Sequence, residues 1–130
     1  MDAATVKRIP LFALLSEKEQ KKVASLADEI DVPAGTHLVD EGKFAHEFFV
    51  IEDGEADVVH GGKTVATLGP GDFFGEIALL GAERRNASVV AKSPMKLVVI
   101  FGPNFRSLEG ELPDIHERVQ EAIKARTRSD

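Results

Sequence analysis

The chain has no cysteine among its 130 residues, which excludes disulfides and thiolate metal sites. It has no long apolar run either. Stretches such as Leu97 to Phe101 are far shorter than the roughly 20 residues a membrane-crossing helix needs. Residues 1–16 carry charges but lack both an extended apolar stretch and a small-residue cleavage site, so no signal peptide is visible. Together these absences predict a cytoplasmic protein. A basic face is missing as well. The formal net charge is −6, and counterion release from nucleic acid needs clustered lysine and arginine. Arg118, Lys124, Arg126 and Arg128 make the tail locally basic, but Glu117, Glu121 and Asp130 interrupt them. That pattern reads as a solvated helix face, and no direct nucleic-acid binding is expected.

Signatures of catalysis are equally scarce. His37, His46, His60 and His116 show neither HxH nor HExxH spacing, so a metal-dependent barrel enzyme of the cupin type lacks its ligands. No nucleophile elbow occurs. Gly61-Gly62-Lys63-Thr64 is similar to the end of a phosphate-binding P-loop, but Asp57 stands where the upstream glycine belongs, and the segment joins two strands. The expectation is a chain without catalysis and without a metal.

What is present is a soluble globular composition, 43% hydrophobic and 29% charged, at a length that normally makes one domain. Leu11 to Ala27 reads as a helix, with Ser16 and Glu19 as a capping box and Leu15, Val23 and Leu26 as an apolar stripe. From Asp28 to about Leu68, short apolar segments alternate with turn signals at Ala34-Gly35, Glu41-Gly42, Asp53-Gly54 and Gly61-Gly62. Phe48 to Ile51 and Ala56 to Val59 are expected strands, and Lys63 to Leu68 returns from a tight Gly-Gly hairpin. Met95 to Phe101 reads as a strand buried on both faces. Gly102-Pro103 then breaks the chain, and Asn104 can cap a short helix through Leu108. A last helix is expected over about 114–126, with Ile115, Val119, Ala122 and Ile123 on one face. The class is mainly β with flanking helices: a β-roll or jelly-roll barrel of about eight strands, an N-terminal helix, a short phosphate-binding helix and C-terminal helices. As a single domain over 1–130 it divides into an N-terminal helical segment (4–28), the β-roll (29–101) and hinge and lid helices (102–127).

The segment from Gly71 to Ala91, GDFFGEIALLGAERRNASVVA, carries the chemistry. A glutamate falls in the first turn of a very short helix, directly after a glycine, and an arginine stands at the mouth of a buried strand. An anion site wants the arginine and the free N–H groups of a helix start, yet a carboxylate beside them repels an anion. A ligand that joins an anion to a hydroxyl, a sugar-phosphate, resolves the conflict.

This order of elements resembles the cyclic nucleotide-binding domain family, the sensor modules of the catabolite activator protein, protein kinase A regulatory subunits and nucleotide-gated channels. The resemblance runs from Val6 to about Arg126. Its core motif stands here as Phe74-Gly75-Glu76-Ile77-Ala78-Leu79, followed by Arg85-Asn86-Ala87-Ser88-Val89. The resemblance implies that Phe74, Gly75, Glu76, Ile77, Ala78, Arg85, Asn86 and Ala87 bind the ligand. Glu76, an acceptor when ionised, takes the ribose 2′-hydroxyl proton, and Arg85 makes a charge-assisted bond to the cyclic phosphate. Within the family register, parity separates Arg85 from Arg84: Arg85, Ala87, Val89 and Ala91 share one small apolar strand face, which points into the barrel. Val58 and Val65 match family positions that contact the base, with ordinary barrel core as the competing role. Val119, Gln120 and Ile123 match the lid, although a plain amphipathic helix fits the same pattern. Asn86 departs from the commoner patterns, threonine in many cyclic GMP binders and alanine or serine in cyclic AMP sensors, and so leaves the purine open.

The function implied is a non-catalytic sensor of a 3′,5′-cyclic nucleotide, cAMP favoured over cGMP. It would transmit closure of its C-terminal helix to a protein partner or to an output domain missing from this chain. The alternative is an interaction module that keeps the fold and no longer binds nucleotide.

Overall fold

The structure, a computed structural model, describes residues 1–44, 46–75 and 85–108, together with Glu117 and Glu121. The chain opens with helix α1 (Ala3–Lys7), whose first turn is capped by the Asp2 carboxylate accepting from the Ala4 amide at 3.1 Å. A 3₁₀ turn (Pro10–Phe12) follows, then helix α2 (Glu17–Leu26). The helix expected from Leu11 therefore starts later. Ser16 accepts from the Glu19 amide at 3.2 Å, and Glu19 Oε1 accepts from the Ser16 amide at 2.8 Å. That reciprocal box satisfies the first-turn donors and fixes Glu17 as the start.

Among the described residues eight strands form two antiparallel sheets: β1 (Ala27–Val32), β2 (His37–Val39), β3 (Glu47–Asp53), β4 (Ala56–His60), β5 (Lys63–Leu68), β6 (Phe73–Phe74), β7 (Ser88–Ala91) and β8 (Met95–Phe101). The first sheet has the order β1-β8-β3-β6 and the second β2-β7-β4-β5, which is the mainly β roll the sequence predicts. The turn between β4 and β5 is Gly61-Gly62 with φ of +57° and +81°, a pair of left-handed residues that suits a two-residue hairpin and glycine above all.

The period-2 alternation of strands accounts for the two cores. Phe48, Val50, Val98 and Ile100 face the helices and pack with Val6, Phe12 and Val23. Phe49, Ile51 and Leu97 face the second sheet and pack with Phe74, Val89 and Ala91. The first sheet is thus covered on both sides, which is why β3 and β8 read as unbroken apolar runs. Phe48 meets Phe12 edge-on at 6.1 Å, while Phe49 stacks on Phe74 at 4.8 Å. Helix α3 (Gly102–Leu108) follows β8 directly. Asn104, expected as its cap, lies inside the first turn instead, because Pro103 needs no N–H partner there. The last helix expected over 114–126 lies outside the described residues apart from Glu117 and Glu121, both helical.

Replacing Ser16 by alanine should lower stability by about 1 kcal/mol. Glu19→Ala should cost less when added to Ser16→Ala than alone, because the two bonds are reciprocal. Urea unfolding of the two single variants and the double variant measures both effects.

Candidate functional site

Arg85 precedes β7, and its backbone is pinned to the turn between β2 and β3. Its amide donates to the Lys43 carbonyl at 2.7 Å, and its carbonyl accepts from the Gly42 amide at 2.9 Å. With the main chain held on that side, the side chain turns inward and is only 7% exposed. The guanidinium Nη2 donates to the Glu47 carbonyl at 2.7 Å, a charge-assisted bond that fixes the guanidinium plane.

Gly75 makes room for this group. Its φ is +78°, and a Cβ placed there would meet Arg85 Nη1 at 2.5 Å and the Glu47 carbonyl at 2.7 Å. A left-handed conformation and a bare backbone are both required, and glycine alone supplies them. Phe74 sets the approach of this turn from the other side, because its ring is buried in the core between the sheets. Its side chain supports the turn rather than lining the cavity beyond it.

That cavity, about 110 Å³, is lined by Gly75, Arg85, Asn86 and Ala87 with Val39, Val58 and Val89. A second cavity of about 150 Å³, bordered by Lys43, His46 and Glu47, shares Val39 and Arg85 with it, so the guanidinium stands between the two. The smaller space sets the Arg85 guanidinium against an apolar wall of Val39, Val58 and Val89.

The structure therefore brings together five of the residues expected at the site: Val58, Gly75, Arg85, Asn86 and Ala87. Val65 is not among them. Val58 pairs with Ala66 across the hairpin, whereas Val65 falls at the register shift between β4 and β5 and is 61% exposed, on a strand exposed from Lys63 to Thr67. Glu76, Ile77, Ala78, Arg84, Val119, Gln120 and Ile123 lie outside the described residues. Sequence reasoning missed the Glu47 carbonyl and the Gly42-Lys43 turn. Both are backbone partners about forty positions away from Arg85, and a backbone acceptor leaves no mark in residue identity.

A larger cavity, about 410 Å³, opens elsewhere, on the helix side of the first sheet, where Arg8, Glu29, Glu52 and Lys96 meet. Two acids and two bases offer an anion no net attraction, so size does not make it the phosphate site. Glu52 stands at the irregularity where β3 shifts register against β8. Its carboxyl is pushed up to about 6, chiefly by burial and further by the hydrogen bond to and repulsion from Glu29; Lys96 and Arg8 pull the other way. Among the described residues no three histidine or acidic side chains gather as a metal site, and no helix is long and apolar enough to cross a membrane.

Residues 29–109 match the family model described as the cyclic nucleotide-binding domain. The cAMP-dependent protein kinase regulatory subunit of Schizosaccharomyces pombe is 37% identical over 111 residues, which cover 85% of this chain and 27% of that protein. Its counterpart in Aspergillus niger is 36% identical over 122 residues, 92% and 30% of the two chains. The chain thus spans under a third of the length of these curated relatives. A solved protein of Geobacter metallireducens GS-15 superposes with a TM-score of 0.91 over 99% of this chain and 97% of its own, at 20% identity, which speaks to the fold alone. The cAMP-bound PfPKA-R structure (141–441) superposes with a TM-score of 0.74 at 25% identity, over 94% and 46% of the two chains. The chain belongs to the cyclic nucleotide-binding domain family. The two curated relatives are named as regulatory subunits.

Gly75→Ala should displace the Arg85 guanidinium and cost about 1–3 kcal/mol through the left-handed backbone and the close contact, measured by urea unfolding. For Glu52 the sign follows from its raised value. The folded state holds the proton more tightly, so this contribution to stability is complete below the ordinary 4.5 and disappears as pH rises through about 6. Glu52→Gln should be more stable than the native protein at pH 7, by at most about 1 kcal/mol after solvent screening. The advantage should shrink toward pH 4 in thermal melts.

Proposed function

We propose that the chain is a sensor that captures the phosphate of a 3′,5′-cyclic nucleotide at Arg85 and passes the event to its C-terminal helices. The observation that carries this reading is the arginine buried at the wall of a small cavity, over a glycine that leaves it no competing Cβ. In this reading the phosphate accepts from Arg85 and from main-chain amides around Gly75 and Ala87, and Glu76 accepts from the ribose 2′-hydroxyl. Ile77 and Ala78 complete the phosphate turn, with Val58 on the base side. Cyclic AMP is the preferred ligand, a choice supported by the names of the relatives and by the cAMP in PfPKA-R.

Transmission has a physical route. Glu47 holds Arg85 through its carbonyl, and the carbonyl of the preceding residue, His46, accepts from the Gly102 amide at 2.7 Å. Arg85 and the start of α3 thus hang on consecutive carbonyls at the start of β3, which point to opposite sides of the strand. A ligand that binds better to one setting of this strand start shifts the helices with it. The lid formed by Val119, Gln120 and Ile123 is the element moved, and the receiver is a protein partner or an attached output domain.

Calorimetric titration tests the reading. Cyclic AMP should bind more tightly than cyclic GMP. Arg85→Ala should weaken binding about 100-fold and Glu76→Ala about 10-fold, from the loss of a charged and of a single hydrogen bond, whereas Arg84→Ala should bind normally. Undiminished binding by Arg85→Ala overturns the site.

A further inference from the structure

A clasp on the outer surface holds the peptide that follows Arg85. His60, the last residue of β4, places Nδ1 2.8 Å from the Asn86 carbonyl oxygen. A carbonyl only accepts, so Nδ1 carries the proton and donates. The same nitrogen lies 3.6 Å from Glu41 Oε1. Glu41 in turn accepts from the Gly61 amide at 3.1 Å through that oxygen, and its own amide donates to Ser88 Oγ at 2.8 Å. Three separate stretches, the β2–β3 turn, the β4–β5 hairpin and the Arg85 to Ser88 segment, are joined within a few ångströms. None of this follows from the motif, and His60 does not line the cavity.

A peptide group is planar, and in the trans form its C=O and N–H point in opposite directions; no cis bond occurs among the described residues. Holding the Asn86 carbonyl at His60 therefore turns the Ala87 amide away from the histidine. Asn86 and Ala87 both line the cavity, beside Arg85. Left untied, this two-residue bend could rotate its peptide and present a carbonyl oxygen to an anion in place of an N–H.

We propose that His60, seated by Glu41, is a positioning residue that fixes the Asn86–Ala87 peptide with its amide toward an exocyclic oxygen of the ligand's phosphate. The inference rests on the reading above, that the cavity takes a cyclic phosphodiester. His60 touches no ligand. Its effect passes through the peptide, so it falls on one phosphate oxygen rather than on binding as a whole.

The test is titration of the full chain with cyclic AMP and with its two phosphorothioate diastereomers, in which sulfur replaces one or the other exocyclic oxygen. His60→Leu removes the donor at similar bulk, while His60→Asn keeps an N–H where Nδ1 stands. Relative to the native chain, His60→Leu should bind cyclic AMP about fivefold more weakly, the effect of one lost hydrogen bond. It should also change the ratio of affinities for the two diastereomers by about threefold or more. His60→Asn should restore both. Glu41→Gln, a second variant that leaves His60 in place, should shift the ratio in the same direction by less. A loss equal for both diastereomers, a loss that His60→Asn does not recover, or no loss at all in His60→Leu overturns the inference. If the native chain binds no cyclic nucleotide, it is the reading of the cavity that has failed; if the native chain binds and His60→Leu matches it, the clasp alone is refuted.

Discussion

The Arg85 guanidinium, bonded to the Glu47 carbonyl and lying over the bare backbone of Gly75, is the contact on which the site is organised. Three stretches of chain far apart in sequence meet there: the β2–β3 turn with the start of β3, the glycine after β6, and the segment before β7. A cation largely withdrawn from water is costly unless oxygen atoms face it. Placing it beside a small cavity makes an anion with hydrogen-bond acceptors the natural occupant. Phe74 anchors the turn that brings Gly75 in, and the Gly42-Lys43 turn clamps the arginine's own backbone.

The architecture explains why such a contact is stable enough to be useful. β3 and β8 sit in the middle of a sheet buried on both faces, with helices on one side and the second sheet on the other. Glu47 and His46 lie at the start of β3, where the Glu47 carbonyl holds Arg85 and the His46 carbonyl accepts from the start of α3. The charged cavity beside Glu52 lies toward the opposite end of the same strand and is electrically mixed, which separates it in both place and chemistry from the cavity at Arg85.

Legibility in the sequence followed the range of the interactions. The Ser16/Glu19 box, the Gly61-Gly62 hairpin and the strands Lys63–Leu68 and Met95–Phe101 depend on neighbours or on alternation, and they were readable from residue types. Arg85 is buried, as the sequence leads one to expect, but it lies in the bend before β7, so strand alternation does not account for its direction. The start of α2 and the start of α3 were misjudged where a local cap or a proline overrides helical periodicity. Val65, open in the sequence between base contact and barrel core, falls at the irregularity where β5 shifts register against β4 and is exposed. The Glu47 carbonyl, the Gly42-Lys43 clamp and the His60 bond to Asn86 use backbone atoms across long separations, and any residue type supplies a carbonyl. Only the fold reveals them.

The central claim is that Arg85 is the phosphate ligand of this domain, and a crystal structure of the chain with cyclic AMP tests it most directly. The account predicts an exocyclic phosphate oxygen about 2.7–2.9 Å from the guanidinium, in the cavity shared by Gly75 and Ala87. A nucleotide seated elsewhere, or an Arg85 side chain swung out to solvent with the ligand bound, would contradict it.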